Sequence, residues 1–335
     1  MPITVDFTRP PTPMEAKRLL GRLDRLNRQQ QTGEFERIAK RTPIPSAEQG
    51  LVLRRGFAYQ EGEHDADASD RKAPARGMRP PATRITSSRG CALRFELTLL
   101  AWVQSTRKSG GKARVKDFGL DIVGSSDTPA WSDVIATGAE DSALGGILTT
   151  EREKRARSVR SALKTMKSAG LVEIPETPAG GPKFEDFVLL DERGTDAIGE
   201  KAEYKVPLAR ASSTFTLPAE FISQGWVHVL EDSEIALLLM VACAYGGWWE
   251  NGMLVMPGAV RLRNYGIHRD PYWRARKTLQ WFGLLDVEEL GRHGDGRAED
   301  SNFFVNRLRL MPEGFAKTAV STITASVKEQ IARAT

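Results

Sequence analysis

The chain has 335 residues, 40% hydrophobic and 27% charged, a globular composition with room for more than one domain. Lys and Arg outnumber Asp and Glu by 48 to 43, and the net charge of +5 suits a polyanionic partner without requiring one. Cys91 and Cys243, far apart and each in an apolar run, exclude a disulfide framework and read as small buried hydrophobes.

Met14 to Arg41 reads as one polar amphipathic helix between Pro13 and Pro43, with Leu19, Leu20, Leu23 and Leu26 as a narrow apolar stripe. Lys17, Arg18, Arg22, Arg25 and Arg28 cover the rest. This pattern fits a solvated helix on its own domain, a homodimer contact, or an arm that tracks DNA. Leu51 to Tyr59 has strand character. Glu61 to Pro81 holds Asp, Ala, Arg, Gly and Pro but almost no large apolar residue, so a flexible linker is expected.

The pattern changes at Arg89. Leu93, Leu97, Leu100 and Val103 mark one face of a helix that Gly110-Gly111 has broken. Ala113 to Lys116 is a short strand candidate, and Pro129 opens a second short helix over Trp131 to Thr137. Thr150 and Glu153 form a capping-box pair for a third helix, to about Ser168, with Ala156, Val159, Leu163 and Met166 facing inward and Gly170 as its stop. Leu171 to Ile174 and Phe184 to Leu190 then read as a hairpin around a turn-rich loop.

The second half repeats this order. Ser233 is positioned to cap a helix through Tyr245. The run from Ile235 to Tyr245 is too short for a membrane span, which needs about 20 residues, and reads as a core helix. Met253 to Met256 reads as a strand, Pro257 to Tyr265 as a short helix, and Asp270 with Pro271 opens a helix to Phe282. After the Gly283 stop come a strand over Leu284 to Glu288, a polar loop from Gly291 to Asp300, and a returning strand over Phe303 to Leu310. Trp248 and Trp249 are expected to pack in this half. Phe315, Ala319, Ile323, Val327 and Ile331 mark a tail helix. The segments from Val159, VRSALKTMKSAGLVEI, and from Trp273, WRARKTLQWFGLLDVE, can be superposed, which indicates duplication of a domain and not a solenoid.

Helix, strand, helix, helix, hairpin is the order of a winged helix, whose last helix enters the major groove of double-stranded DNA. That helix needs an apolar face to dock and donors on the other. The first copy offers Lys154, Arg157, Ser158, Ser161 and Lys164 outward. The second offers Trp273, Arg276, Lys277 and Gln280 outward, with Arg274 flanking. Trp273 is placed either to touch the DNA or to pack on the preceding helix. Arg292, His293 and Arg297 make the second wing the more basic one.

The segment RARSVRSALKTMKSAGLVEI, Arg155 to Ile174, resembles the recognition helix and first wing strand of winged-helix domains. The layout from about Thr86 to Pro312 resembles the tandem winged-helix replication initiators of plasmids and some phages. The resemblance implies binding to repeated origin sites, repression of the chain's own promoter and a monomer–dimer switch. A transcription regulator, a partition-site binder, and a scaffold whose winged helices bind proteins share the same pattern.

The fold class expected is therefore α+β, mainly helical: two winged-helix (helix-turn-helix) domains in tandem with an N-terminal helical arm. The expected divisions are 1–85 for arm and linker, 86–195 and 205–312 for the two domains, and 313–335 for the tail helix. His64, His228, His268 and His293 have no metal-ligand spacing, and Ser109-Gly-Gly-Lys-Ala lacks the first Gly and the hydroxyl of a phosphate-binding loop. No metal, cofactor or catalysis is expected. The opening residues lack the basic-then-apolar pattern of a secretory leader, so a cytoplasmic, DNA-associated protein is expected.

Overall fold

A capping box starts the first helix: the Thr12 hydroxyl accepts from the Glu15 amide at 3.3 Å, and the Glu15 carboxylate accepts from the Thr12 amide at 2.9 Å. The computed structural model describes residues 10–61, 74–87, 90–112, 115–124, 128–144, 147–244, 252–290 and 305–334. These form an α+β fold, mainly helical, with small antiparallel sheets.

Helices α1 (Pro13–Gln31) and α2 (Glu34–Arg41) take the place of the single helix expected. Gly33, at φ 67°, separates them in a left-handed conformation that favours glycine. Strand β1 (Leu51–Arg54) turns directly into α3 (Arg55–Ala58), so strand character ends earlier than Tyr59. After α4 (Pro81–Arg84) comes α5 (Ala92–Thr106), whose Leu93, Phe95, Leu97, Leu99 and Leu100 are all fully buried. From Ala92 to Ala101 only Arg94 is not buried, so the first turns of this helix lie within the core. Where the second short helix was expected, the chain makes a 3-10 turn at Trp131–Asp133. A hairpin then intervenes, β2 (Ser142–Leu144) with β3 (Ile147–Thr149), before α6 (Glu151–Ser168).

Helix α6 has the expected cap, with Thr150 and Glu153 exchanging bonds at 3.2 and 3.0 Å. Ala156, Val159, Leu163 and Met166 are buried, as their spacing requires. Strands β4 (Val172–Glu173) and β5 (Val188–Leu189) form a short hairpin. The returning strand is shorter than expected, because Phe184–Asp186 forms a 3-10 turn.

Then come α7 (Thr195–Ile198), β6 (Thr214–Leu217), α8 (Glu220–Ser223), α9 (Trp226–Val229) and α10 (Asp232–Cys243). The N-cap residue of α10 is Glu231, not Ser233, and the Glu234 carboxylate accepts from its amide at 2.8 Å. Strand β7 (Leu254–Val255), α11 (Gly258–Arg263), α12 (Arg269–Trp281), β8 (Leu285–Leu290) and β9 (Val305–Leu310) follow, then α13 (Pro312–Phe315) and α14 (Ala319–Ala334). His268 is the N-cap of α12, which places Asp270 inside the first turn and not at the cap. Strands β7, β9 and β8 pair antiparallel in that order, so the last strand lies between the other two. Among the described residues no helix is long and apolar enough to cross a membrane.

Two features tie the ends of the chain to its middle. Strand β1 pairs with β6, joining residues 51–54 to 214–217. Helix α1 packs along α14 and is fixed to α10 by Arg22, whose guanidinium meets the Glu234 carboxylate at 2.7 and 2.8 Å and the Val229 carbonyl at 3.1 Å. The same guanidinium lies 4.9 Å from the centre of the Phe282 ring. One continuous apolar core runs from Leu19 to Val327.

Removing one partner of a buried ion pair strands the other charge, at a cost of about 3–5 kcal/mol. Arg22→Ala is expected to show that loss in urea unfolding, while Arg22→Met with Glu234→Leu should recover much of it; equal losses would mean that desolvation is not the cause.

His228 is fully enclosed beside Arg94, and neither ring nitrogen has a hydrogen-bond partner among the described residues. Burial, with Arg94 adding to it, pushes the imidazole down to about 3. The unfolded chain therefore takes up a proton that the folded chain refuses. This group's contribution is intact above the unfolded value of 6.5, and below it stability falls by about 1.4 kcal/mol per pH unit toward 3. His228→Leu is expected to flatten the stability–pH curve in that window, and an unchanged slope would contradict the assignment.

Candidate nucleic-acid interface

Helix α6 presents one polar stripe to solvent. Arg157, Ser161, Lys164 and Ser168 are exposed and follow one another at helical spacing, and Lys167 extends the stripe on one side. At 1.5 Å per residue the stripe is about 16 Å long. The Lys164 ammonium lies 5.7 Å from the centre of the Phe184 ring, and the side chain remains exposed. The other two residues expected on this surface are half-buried and engaged locally: Lys154 donates to the Glu140 carbonyl, and the Ser158 hydroxyl donates to the Lys154 carbonyl at 3.1 Å. Arg160, half-buried beside the stripe, lies 4.0 Å from Glu185.

The base of α6 is held by charge. Buried Arg155 pairs with Glu151 one turn back and with Asp133 at 3.4 Å. Arg41 meets the same Asp133 at 2.9 Å, and Arg37 reaches Glu34 at 3.4 Å and Glu151 at 3.5 Å. Glu34 in turn accepts from the Thr137 amide at 2.9 Å. Helix α2 is thereby clamped to the start of α6, and the exposed stripe is carried on a fixed element.

Helix α12 differs from expectation. Arg276 does not face outward: it is 1% exposed, with its guanidinium 4.0 Å from the centre of the Trp273 ring and 5.8 Å from that of Tyr272. Tyr272, Ala275, Arg276 and Leu279 form the inward face, and the two rings supply an aromatic bed for the cation. Trp273 is half-buried, packs against the core and has its ring under the Arg276 guanidinium. Lys277 is also half-buried: it meets Glu15 of α1 at 3.2 Å and lies 5.1 Å from the Trp281 ring. The Trp281 carbonyl accepts from Ser326 of α14 at 3.1 Å. The later turns of α12 are thus covered by α1 and α14, and the side chains open to solvent are Arg269, Asp270 and Arg274. Arg292, His293 and Arg297 of the second wing, and Trp248 and Trp249, lie outside the described residues.

Sequence reasoning missed the part played by residues 74–87. Within the expected linker, Arg76–Met78 forms a 3-10 turn and Pro80 and Pro81 are buried, and the chain continues into buried Thr83, Arg84 and Ile85. No known protein family, curated protein or solved structure matches the chain.

Arg276→Ala is expected to destabilise the fold by about 2 kcal/mol or more through lost packing, whereas Arg274→Ala stays within about 0.5 kcal/mol. Thermal melts compare the two; the reverse ranking would restore Arg276 to the surface.

Proposed function

We propose that the chain is a double-stranded-DNA-binding protein and that α6 supplies its base-reading surface. The observation that carries this reading is the exposed stripe Arg157, Ser161, Lys164 and Ser168, in which short hydroxyls alternate with long cations over about 16 Å of the helix. Short side chains let a helix approach base edges, and long cations reach the flanking phosphates. The clamp from α2 supports the reading, because a reading helix must be held in register.

The order α10, β7, α11, α12, β8, β9 with sheet order β7-β9-β8 supports a winged helix in the second half. The first half has the helix α5, the helix α6 and the β4–β5 hairpin, but replaces the helix before α6 with a 3-10 turn and a hairpin. We read it as a modified winged helix. On the resemblance to tandem winged-helix initiators, the role proposed is initiation of replication at iterated sites of a plasmid-like or phage-like element.

Selection of bound duplexes from a random pool tests the function. Enrichment of iterated sites is expected, and Arg157→Ala with Lys164→Ala is expected to lower affinity for the enriched site at least tenfold, about 1.4 kcal/mol, without changing the melting temperature. No enrichment from the pool, or unchanged binding by the double variant, would sink the assignment.

A further inference from the structure

The turn between α11 and α12 is covered by a segment far from it in sequence. Gly266, at φ 67°, stands where a side chain would collide: a Cβ there would lie 2.6 Å from the Thr83 hydroxyl and 3.1 Å from both Cβ and Cδ of Arg79. The Asn264 carbonyl accepts from the Gln60 amide at 2.9 Å, and the Asn264 side-chain amide donates back to the Gln60 carbonyl at 2.9 Å. Residues 74–84 are further knit by arginine side chains. Arg76 Nε donates to the Arg84 carbonyl at 2.7 Å, Arg79 Nε to the Pro74 carbonyl at 3.1 Å, and Arg84 Nε to the Arg79 carbonyl at 2.5 Å.

This packing brings basic side chains from two parts of the chain together. Arg76 is exposed, Arg79 half-buried, and His268 and Arg269 are exposed at the start of α12. Partial burial and then the nearby Arg79 and Arg261 push the His268 imidazole below its ordinary value, while Asp270 acts the other way. Arg79 feels Arg76 in the same manner. Among the described residues no carboxylate comes within ion-pair distance of Arg76, Arg79 or Arg269. Asp270 is the one carboxylate beside them among the described residues, and it forms no ion pair with these arginines; three like charges gathered against one oppose folding, so a surface of this kind fits an anionic partner. Its cations lie beside the first turn of α12, the part that α1 and α14 leave open.

We propose that Arg76, Arg79 and Arg269, with the His268 imidazole beside them as a hydrogen-bond donor, form a second contact with double-stranded DNA, gripping the phosphate backbone and reading no bases. The proposal rests on the DNA-binding reading of α6. It makes the segment once expected to be a linker part of the binding surface, and it gives the second half of the chain an anchoring role that does not need the covered face of α12.

The test is a salt titration of binding to a labelled mixed-sequence duplex, followed by fluorescence anisotropy with the full chain. Each phosphate contact contributes about 0.9 to the slope of log affinity against log salt. Arg76→Ala with Arg79→Ala is expected to weaken binding and flatten the slope by about 1.8, and the corresponding double lysine variant should keep most of it. Arg269→Ala, whose side chain holds no backbone group among the described residues, should flatten it by about 0.9 with an unchanged melting temperature, which keeps the test valid if the double alanine variant loosens the turn. An unchanged slope in Arg269→Ala and in the double variant, with wild-type binding intact, would overturn this proposal alone. Failure of the wild-type chain to bind would overturn it together with the DNA-binding reading.

Discussion

The Glu234 carboxylate holds three helices at once. It caps α10 through the Glu231 amide, receives both terminal nitrogens of Arg22 from α1, and lies 2.6 Å from the Thr278 hydroxyl of α12. Two buried charges cost several kcal/mol each to take from water, and the mutual attraction offsets this only with good geometry and further hydrogen bonds. Here the pairing is bidentate, and the carboxylate's other contacts are filled by an amide and a hydroxyl. The arrangement specifies how α1 lies, because any other register of that helix would leave Arg22 or Glu234 buried alone.

The position of α1 then decides which surfaces remain open. With Arg22 fixed, Glu15 reaches Lys277, and α14 packs along α1 and accepts the end of α12. The later turns of α12 are therefore spent on packing. Helix α2 acts at the other end of the molecule: its Glu34, Arg37 and Arg41 secure the start of α6 and leave its polar stripe uncovered. One N-terminal segment thus covers one long helix and steadies the other. On the proposed reading, base recognition belongs to α6 and the second half contributes backbone contacts.

How much of this was legible follows from what each signal depends on. Helix α6 was readable throughout, since Thr150 and Glu153 are a local cap and Ala156, Val159, Leu163 and Met166 repeat at one helical period. The order of elements from α10 to β9 was also readable, because turns and short apolar runs are local. Arg276 was misread because charge was taken as a sign of exposure, whereas the bed of Tyr272 and Trp273 makes burial favourable. Residues 74–81, the described end of the expected linker, were misread because their composition has almost no large apolar groups. Their order comes from arginine side chains bonded to backbone carbonyls and from close approach to Gly266, neither of which leaves a periodic trace. The partner of the tail helix was hidden for a similar reason: α1 and α14 lie at opposite ends of the chain, and no local pattern joins them.

Placing a photo-reactive side chain at Ser161 of α6, and separately at Lys277 of α12, measures directly which helix lies against DNA. The account predicts cross-links to the duplex from position 161 and none from position 277, which α1 covers. Cross-links from position 277 at a yield matching position 161, or none from position 161 in a complex that binds DNA, would contradict it.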